Sequence, residues 1–178
     1  SLKEKNKLRG NCFRKLLTNY LISLSTTIIL KKALLEQSEW FDENFHVLEE
    51  ADLFRRIAYS WELDFIDRSL AKWRIHEQSS TWKLYDKFYI EGHIMLSKFS
   101  KLYSDFDSKY SKEIKFYKIV LQRRLAIDLW QQNKNYLARK TIVKYILVDK
   151  KMFALFFLTF IPNSFYVRLL RIFSLRLK

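Results

Sequence analysis

The sequence predicts an α+β chain that is mostly helical: a few strands and one acid-rich helix in residues 1–82, then a helical tail over 83–178. Three observations lead there. Only 2 Gly and 1 Pro occur in 178 residues, which favours helices joined by tight polar turns. Three segments, 21–30, 61–67 and 69–76, carry the β-branched or alternating pattern of strands. After Ser79, Ser80 and Thr81 the apolar period changes from two to about 3.6, the helix repeat. Apolar residues at 49% and aromatics at 17% supply a core and argue against disorder.

Residues 1–18 are basic and amphipathic. Leu8, Cys12, Phe13, Leu16 and Leu17 share a helical face, with Lys3, Lys5, Lys7, Arg9, Arg14 and Lys15 around it. The run LISLSTTIIL at 21–30 reads as a strand with interleaved hydroxyls, 31–37 as a short helix, and 38–45 as a turn carrying Trp40 and Phe41. The acid-rich helix covers 48–59. WELDFID at 61–67 and SLAKWRIH at 69–76 can pair as a hairpin, although no Asn-Gly or Asp-Gly marks a tight turn. Helices are expected at 83–103, 111–132, 134–148, 150–160 and 163–175. Residues 105–109 read as a linker, and Pro162 as the sharpest break, with Asn163 or Ser164 capping the last helix.

Several function classes have no support. There is no Gly-rich phosphate loop, no HExxH around His46, His76 or His93, and no nucleophile elbow. The lone Cys12 rules out an internal disulfide and a cysteine metal cluster. Ser1 is not an initiator Met and no signal-peptide pattern follows, so the chain reads as a fragment whose front is missing. The net charge of +14 calls for an anionic partner: nucleic acid, a membrane surface or a phosphate-bearing substrate. MFALFFLTFIP at 152–162 is the most apolar segment, too short to span a bilayer, and bracketed by Lys150, Lys151, Arg168, Arg171, Arg176 and Lys178. It reads either as a buried core helix or as a helix lying in a membrane interface.

The stretch at 40–58, WFDENFHVLEEADLFRRIA, holds the chemistry. Glu49, Glu50 and Asp52 stand at a helix start, where free N–H groups and the macrodipole favour negative charge. Asp52 and Arg56 are four apart and can pair along one face. Glu50 is the acid least explained by the helix itself. A second constellation places Arg74 and His76 on one side of a strand, followed by the hydroxyls of Ser79 and Ser80. Arginine offers a planar fork for phosphate oxygens, and histidine can donate to phosphate or ligate a metal. Asp105 and Asp107 form a D-x-D string, a weak match of three residues.

Taken in order, FDE…EEADLFRRIA and WELDFIDRSLAKWRIHEQSST resemble the second half of the catalytic domain of inverting, GT-A type, family 2 bacterial glycosyltransferases. The resemblance covers about 19–81 and rests on order and spacing together. It implies that residues 1–82 are the C-terminal portion of a GT-A α/β domain, lacking the N-terminal nucleotide-binding half, and that 83–178 is a tail suited to membrane association. It implies that Glu50 is the general base on the acceptor hydroxyl, with Glu where Asp is usual, and that Glu49 supports it. It implies a structural pair in Asp52 and Arg56. It also places Arg74, His76, Ser79 and Ser80 near the donor diphosphate, with His76 a metal ligand. The implied cofactor is Mg2+ or Mn2+. The implied partners are a nucleotide-sugar donor, a sugar or lipid-linked acceptor, and an anionic membrane surface. The location that follows is cytoplasmic and peripheral, at the inner face of the cell membrane. The D-x-D at Asp105 and Asp107 follows the base in sequence and so has the wrong order for the family's metal site. The chain alone is expected to be inactive.

Two other classes compete. A basic nucleic-acid-binding module fits the charge and the aromatics interleaved at 98–117, but no helix-turn-helix, zinc or RNP-like sequence supports it. A helical adaptor without catalysis would dock through 150–178.

Overall fold

The structure, a computed structural model, describes residues 9–22, 27, 29–37, 40–66, 68, 72 and 84–166. Among the described residues the α-helices are, in chain order, α1 (Phe13–Thr18), α2 (Lys31–Leu35), α3 (Glu49–Ser60), α4 (Tyr85–Leu102), α5 (Phe106–Lys109), α6 (Ser111–Gln131), α7 (Asn135–Ile142) and α8 (Lys150–Leu158). A 3-10 turn, Val143–Tyr145, follows α7.

The expectation of an α+β remnant of a GT-A domain is overturned. Among the described residues there is no strand. WELDFID provides only Leu63, which forms one isolated antiparallel bridge with Gly10, N–O 2.7 and 2.9 Å. An alternating pattern becomes a strand only where a neighbouring backbone continues the ladder, and Gly10 is followed within three residues by α1. Of 21–30, the described residues Leu21, Ile22, Thr27, Ile29 and Leu30 lie in no strand, and α2 begins directly after Leu30. Of the strand expected at 69–76, every residue but Lys72 lies outside the described set.

The chain divides into two compact units, Ser1–Lys83 with Glu91–Tyr117, and Leu84–Ile90 with Lys118–Lys178. In the first, Cys12, Phe13, Leu16 and Leu17 are fully buried, as the spacing of the amphipathic segment requires, and α1 packs on α3. Phe13 centres an aromatic cluster, with ring centroids 5.1 Å from Tyr59, 4.7 Å from Tyr110, and 6.2 Å from both Phe99 and Phe106. Tyr59 and Tyr103 stack at 3.6 Å. Such contacts add about 0.5–1.5 kcal/mol per pair beyond area burial. Phe106 explains why residues 105–109 are not a plain linker: its buried ring anchors the short α5. Residues 91–117 pack with the first unit, although the change of period after Thr81 suggests a cut there.

In the second unit, Ile119, Ala126, Ile142, Met152 and Leu155 form the core. The corner between α6 and α7 turns without glycine. Asn133 takes φ 59°, Lys134 N–H donates to Leu129 O at 2.8 Å, and Asn133 N–H to Trp130 O at 2.9 Å, the two bonds of a Schellman ending. Asp149 caps α8 by accepting the Lys151 N–H at 2.7 Å, and its other oxygen accepts from Arg123 at 3.0 Å. No helix among the described residues is long and apolar enough to cross a membrane.

Candidate functional site

The start of α3 is fixed from outside its own sequence. No side chain at the N-cap position, Leu48, caps the helix. The Glu91 carboxylate, only 4% exposed, instead accepts the backbone N–H groups of His46 (2.9 Å), Val47 (3.0 Å) and Leu48 (3.0 Å). Three amides on one carboxylate is an oriented, charge-assisted arrangement that holds the loop entering α3 in one geometry.

Beneath that loop lies a buried charge network. Asp52 Oδ2 accepts from Arg56 Nε at 2.9 Å and from Lys98 Nζ at 3.1 Å. Lys98 also reaches Asp42 at 2.8 Å. Arg56 donates further to the Trp40 carbonyl at 2.8 Å. Asp52 and Arg56 are both at most 2% exposed, so this pair belongs to the interior. Asp42 titrates below the usual carboxylate range. Partial burial opposes ionisation there, but the hydrogen bond from Lys98 and two more from Asn44 outweigh it.

Glu49 and Glu50 lie in the first turn of α3 and are partly exposed, unlike Asp52. Tyr20 is their neighbour. Burial raises its phenol far above the ordinary range, the negative charge of Glu50 adds to this, Arg55 pulls it down, and Glu49 pushes it up again. Among the described residues, the Tyr20 hydroxyl and Glu49 Oε2 are both buried without a hydrogen-bond partner. Arg55, 2% exposed, has its guanidinium 5.1 Å from the ring centroids of both Tyr20 and Tyr117. It donates to the Leu16 carbonyl at 3.0 Å. The start of α3 therefore gathers two carboxylates, a phenol that stays protonated, and a buried guanidinium.

No family model matches the chain, and neither a curated protein nor a solved structure matches it. The site stands on its geometry alone.

Of the residues singled out from sequence, Glu49, Glu50, Asp52 and Arg56 come together on α3. Arg74, His76, Ser79 and Ser80 lie outside the described residues. The D-x-D pair does not fit a metal. Asp105 accepts from Tyr59 Oη and from Lys109 Nζ, Asp107 accepts from Ser100 Oγ at 2.8 Å, and the Phe106 ring between them is in the core. Both oxygens of Asp105 and one of Asp107 are taken by the protein's own donors. Among the described residues, no three His, Cys, Asp or Glu side chains form a metal-ligating group. A cleft of about 620 Å³ beside the network is lined by Asp42, His93, Ile94, Ser97, Lys98, Lys101 and Leu102, and not by Glu49 or Glu50.

Sequence reasoning missed Glu91, Lys98, Tyr20 and Arg55. For Glu91 a signal was present: Met95 and Phe99 follow it at i+4 and i+8, both fully buried, so this glutamate sits on an apolar stripe. An acid on such a stripe needs a buried partner. Which partner it meets is not written locally, since His46, Val47 and Leu48 are more than 40 residues away.

Proposed function

We propose that the chain is part of an inverting family 2 glycosyltransferase that moves a sugar from a nucleotide-sugar donor to an acceptor hydroxyl, with Glu50 as general base. The observation that supports this reading is the division of roles among the acids of α3. Asp52 is buried with Arg56 and Lys98 as scaffold, while Glu50 is partly exposed on a helix start held by Glu91. A base must reach the attacking hydroxyl from a fixed position, and a rigid helix terminus provides one.

In the proposed step the acceptor hydroxyl attacks the anomeric carbon of the donor and its proton passes to the Glu50 carboxylate. The bond from that carbon to the diphosphate oxygen breaks, and the nucleoside diphosphate leaves from the opposite face. Glu49 supports the base electrostatically. The reading includes a divalent cation, Mg2+ or Mn2+, on the diphosphate. The described residues do not form its seat. Arg74, His76, Ser79 and Ser80 are the proposed diphosphate side, with His76 as metal ligand. The isolated 178-residue chain is proposed to be inactive by itself. Its acceptor is a lipid-linked sugar or surface-polysaccharide precursor, and its place is the cytoplasmic face of the cell membrane, where a water-soluble donor and a lipid-held acceptor meet.

The test is made in the cell that encodes the chain. Glu50→Gln in the gene as it stands removes a sugar from the envelope glycans seen by mass spectrometry, and Glu50→Asp restores it. A general base contributes about 10²–10⁴ in rate, enough to abolish the product. Unchanged glycans in Glu50→Gln would sink the reading. Donor turnover by the purified chain, lost in Glu50→Gln, would support the chemistry but refute the inactivity of the chain alone.

A further inference from the structure

The charge of the protein is not evenly spread. The second unit, Leu84–Ile90 with Lys118–Lys178, holds fourteen Lys and Arg against three Asp, a net +11. The first unit holds the remaining nineteen against sixteen, a net +3. The more basic unit also carries an uncovered apolar face. Met152, Leu155 and Thr159 turn α8 and the turn after it into the core, all at most 7% exposed. On the opposite side, Phe153, Phe157, Phe160 and Ile161 follow at helical spacing and are exposed, with Phe157 at 56% and Phe160 at 59%. Ala154 joins them, and Leu147 and Val148 are exposed just before the helix.

Cations rim this stripe. Lys150 lies on it by spacing, one turn before Phe153 and Ala154, and Lys151 is exposed beside it. The Arg139 guanidinium stands 4.5 Å from the Phe160 ring centroid and donates to the Thr159 carbonyl at 2.8 Å. Phenylalanines bounded by fixed positive charge match the boundary between lipid headgroups and acyl chains. Nucleic acid suits the stripe less well, because Ala154, Ile161, Leu147 and Val148 offer no ring on which a base can stack.

We infer that the exposed face of α8 and the turn after it, from Lys150 to Ile161, docks on an anionic lipid surface: Phe153, Phe157 and Phe160 enter the interface, and Lys150, Lys151 and Arg139 meet lipid phosphates. The inference rests on the peripheral-membrane part of the proposed function and not on its transfer chemistry.

The test is co-sedimentation of the full 178-residue chain with vesicles of phosphatidylcholine and phosphatidylglycerol at 7:3, and of phosphatidylcholine alone. The expected result is binding to the anionic vesicles that weakens between 50 and 500 mM salt. Phe153→Ser with Phe157→Ser lowers the partition coefficient by about tenfold or more at unchanged circular dichroism, since both side chains are exposed. Lys150→Glu with Lys151→Glu does the same at low salt. Equal binding by both variants and the native chain overturns the assignment of this face while leaving a peripheral protein. No binding by the native chain overturns both. A dimer that disappears in the phenylalanine variant, without vesicle binding, assigns the face to a second copy and overturns the inference. So does binding of single-stranded DNA through the same phenylalanines that vesicles fail to displace. The transfer reading is decided separately, by the glycans of the Glu50→Gln cells.

Discussion

Glu91 accepts the backbone N–H of Leu48 at 3.0 Å and so ties α4 to the N-cap residue of α3. The same carboxylate holds the two preceding amides. Removing it by Glu91→Ala leaves three donors short of a partner at a largely buried site. A loss of about 3–5 kcal/mol in urea unfolding is expected. Glu91→Gln keeps one acceptor oxygen and should lose less than Glu91→Ala. Equal losses would mean that packing of the side chain, and not its hydrogen bonds, holds the loop.

Asp52, Arg56 and Lys98 act as a unit. Arg56→Met removes the 2.9 Å bond at the fully buried Asp52 carboxylate and leaves Lys98 as its remaining cation among the described residues. Breaking one side of a buried pair costs about 3–5 kcal/mol. Adding Asp52→Leu to Arg56→Met should recover part of that loss, because the uncompensated charge is then gone. A double-mutant cycle showing simple additivity would contradict the coupling.

Tyr20 behaves differently. Its hydroxyl is buried without a hydrogen-bond partner among the described residues, so Tyr20→Phe should leave stability unchanged or raise it by up to about 1 kcal/mol. A loss above 1 kcal/mol in the unfolding midpoint analysis would show that this hydroxyl holds the native state together.

The pH dependence has a definite sign. The folded-state Asp42 carboxyl titrates below its ordinary 3.8, held there against partial burial by Lys98 and Asn44. A depressed acid contributes stability that is fully present above its unfolded value and is lost as pH falls through the folded value. The denaturation midpoint should therefore drop on acidification below about pH 4, and Asp42→Asn should flatten part of that slope. An unchanged slope in Asp42→Asn would assign the acid sensitivity to other carboxylates.

Cys12 provides a probe of opening. Its thiol is fully buried, and burial raises its titration above the ordinary value, outweighing the opposing effect of Lys15. The native chain should react with a thiol reagent such as DTNB orders of magnitude more slowly than the chain in 6 M guanidinium, because the thiolate is the reacting form. Comparable rates would show that α1 leaves its seat readily.

The sequence determined where the helices of this protein lie. Periodicity near 3.6 puts Phe13, Leu16 and Leu17 on one face, places the acid-rich helix at 48–59, one residue off the observed α3, and separates α6, α7 and α8 with boundaries shifted by a few residues. That information is local, since each helix satisfies its own backbone and needs only one apolar face. Strands are not local. WELDFID has the alternation of a strand, yet among the described residues it yields only the bridge of Leu63 to Gly10, because a ladder depends on what backbone lies alongside. The site divides in the same way. Acids on a helix start and the spacing of Asp52 and Arg56 can be read from neighbouring residues. That Glu91 binds the loop before them, that Lys98 joins Asp42 to Asp52, and that Tyr20 lies against Glu50 and Arg55 were decided by tertiary packing alone. A buried charge requires a partner, but which distant residue supplies it is set only when the helices come together.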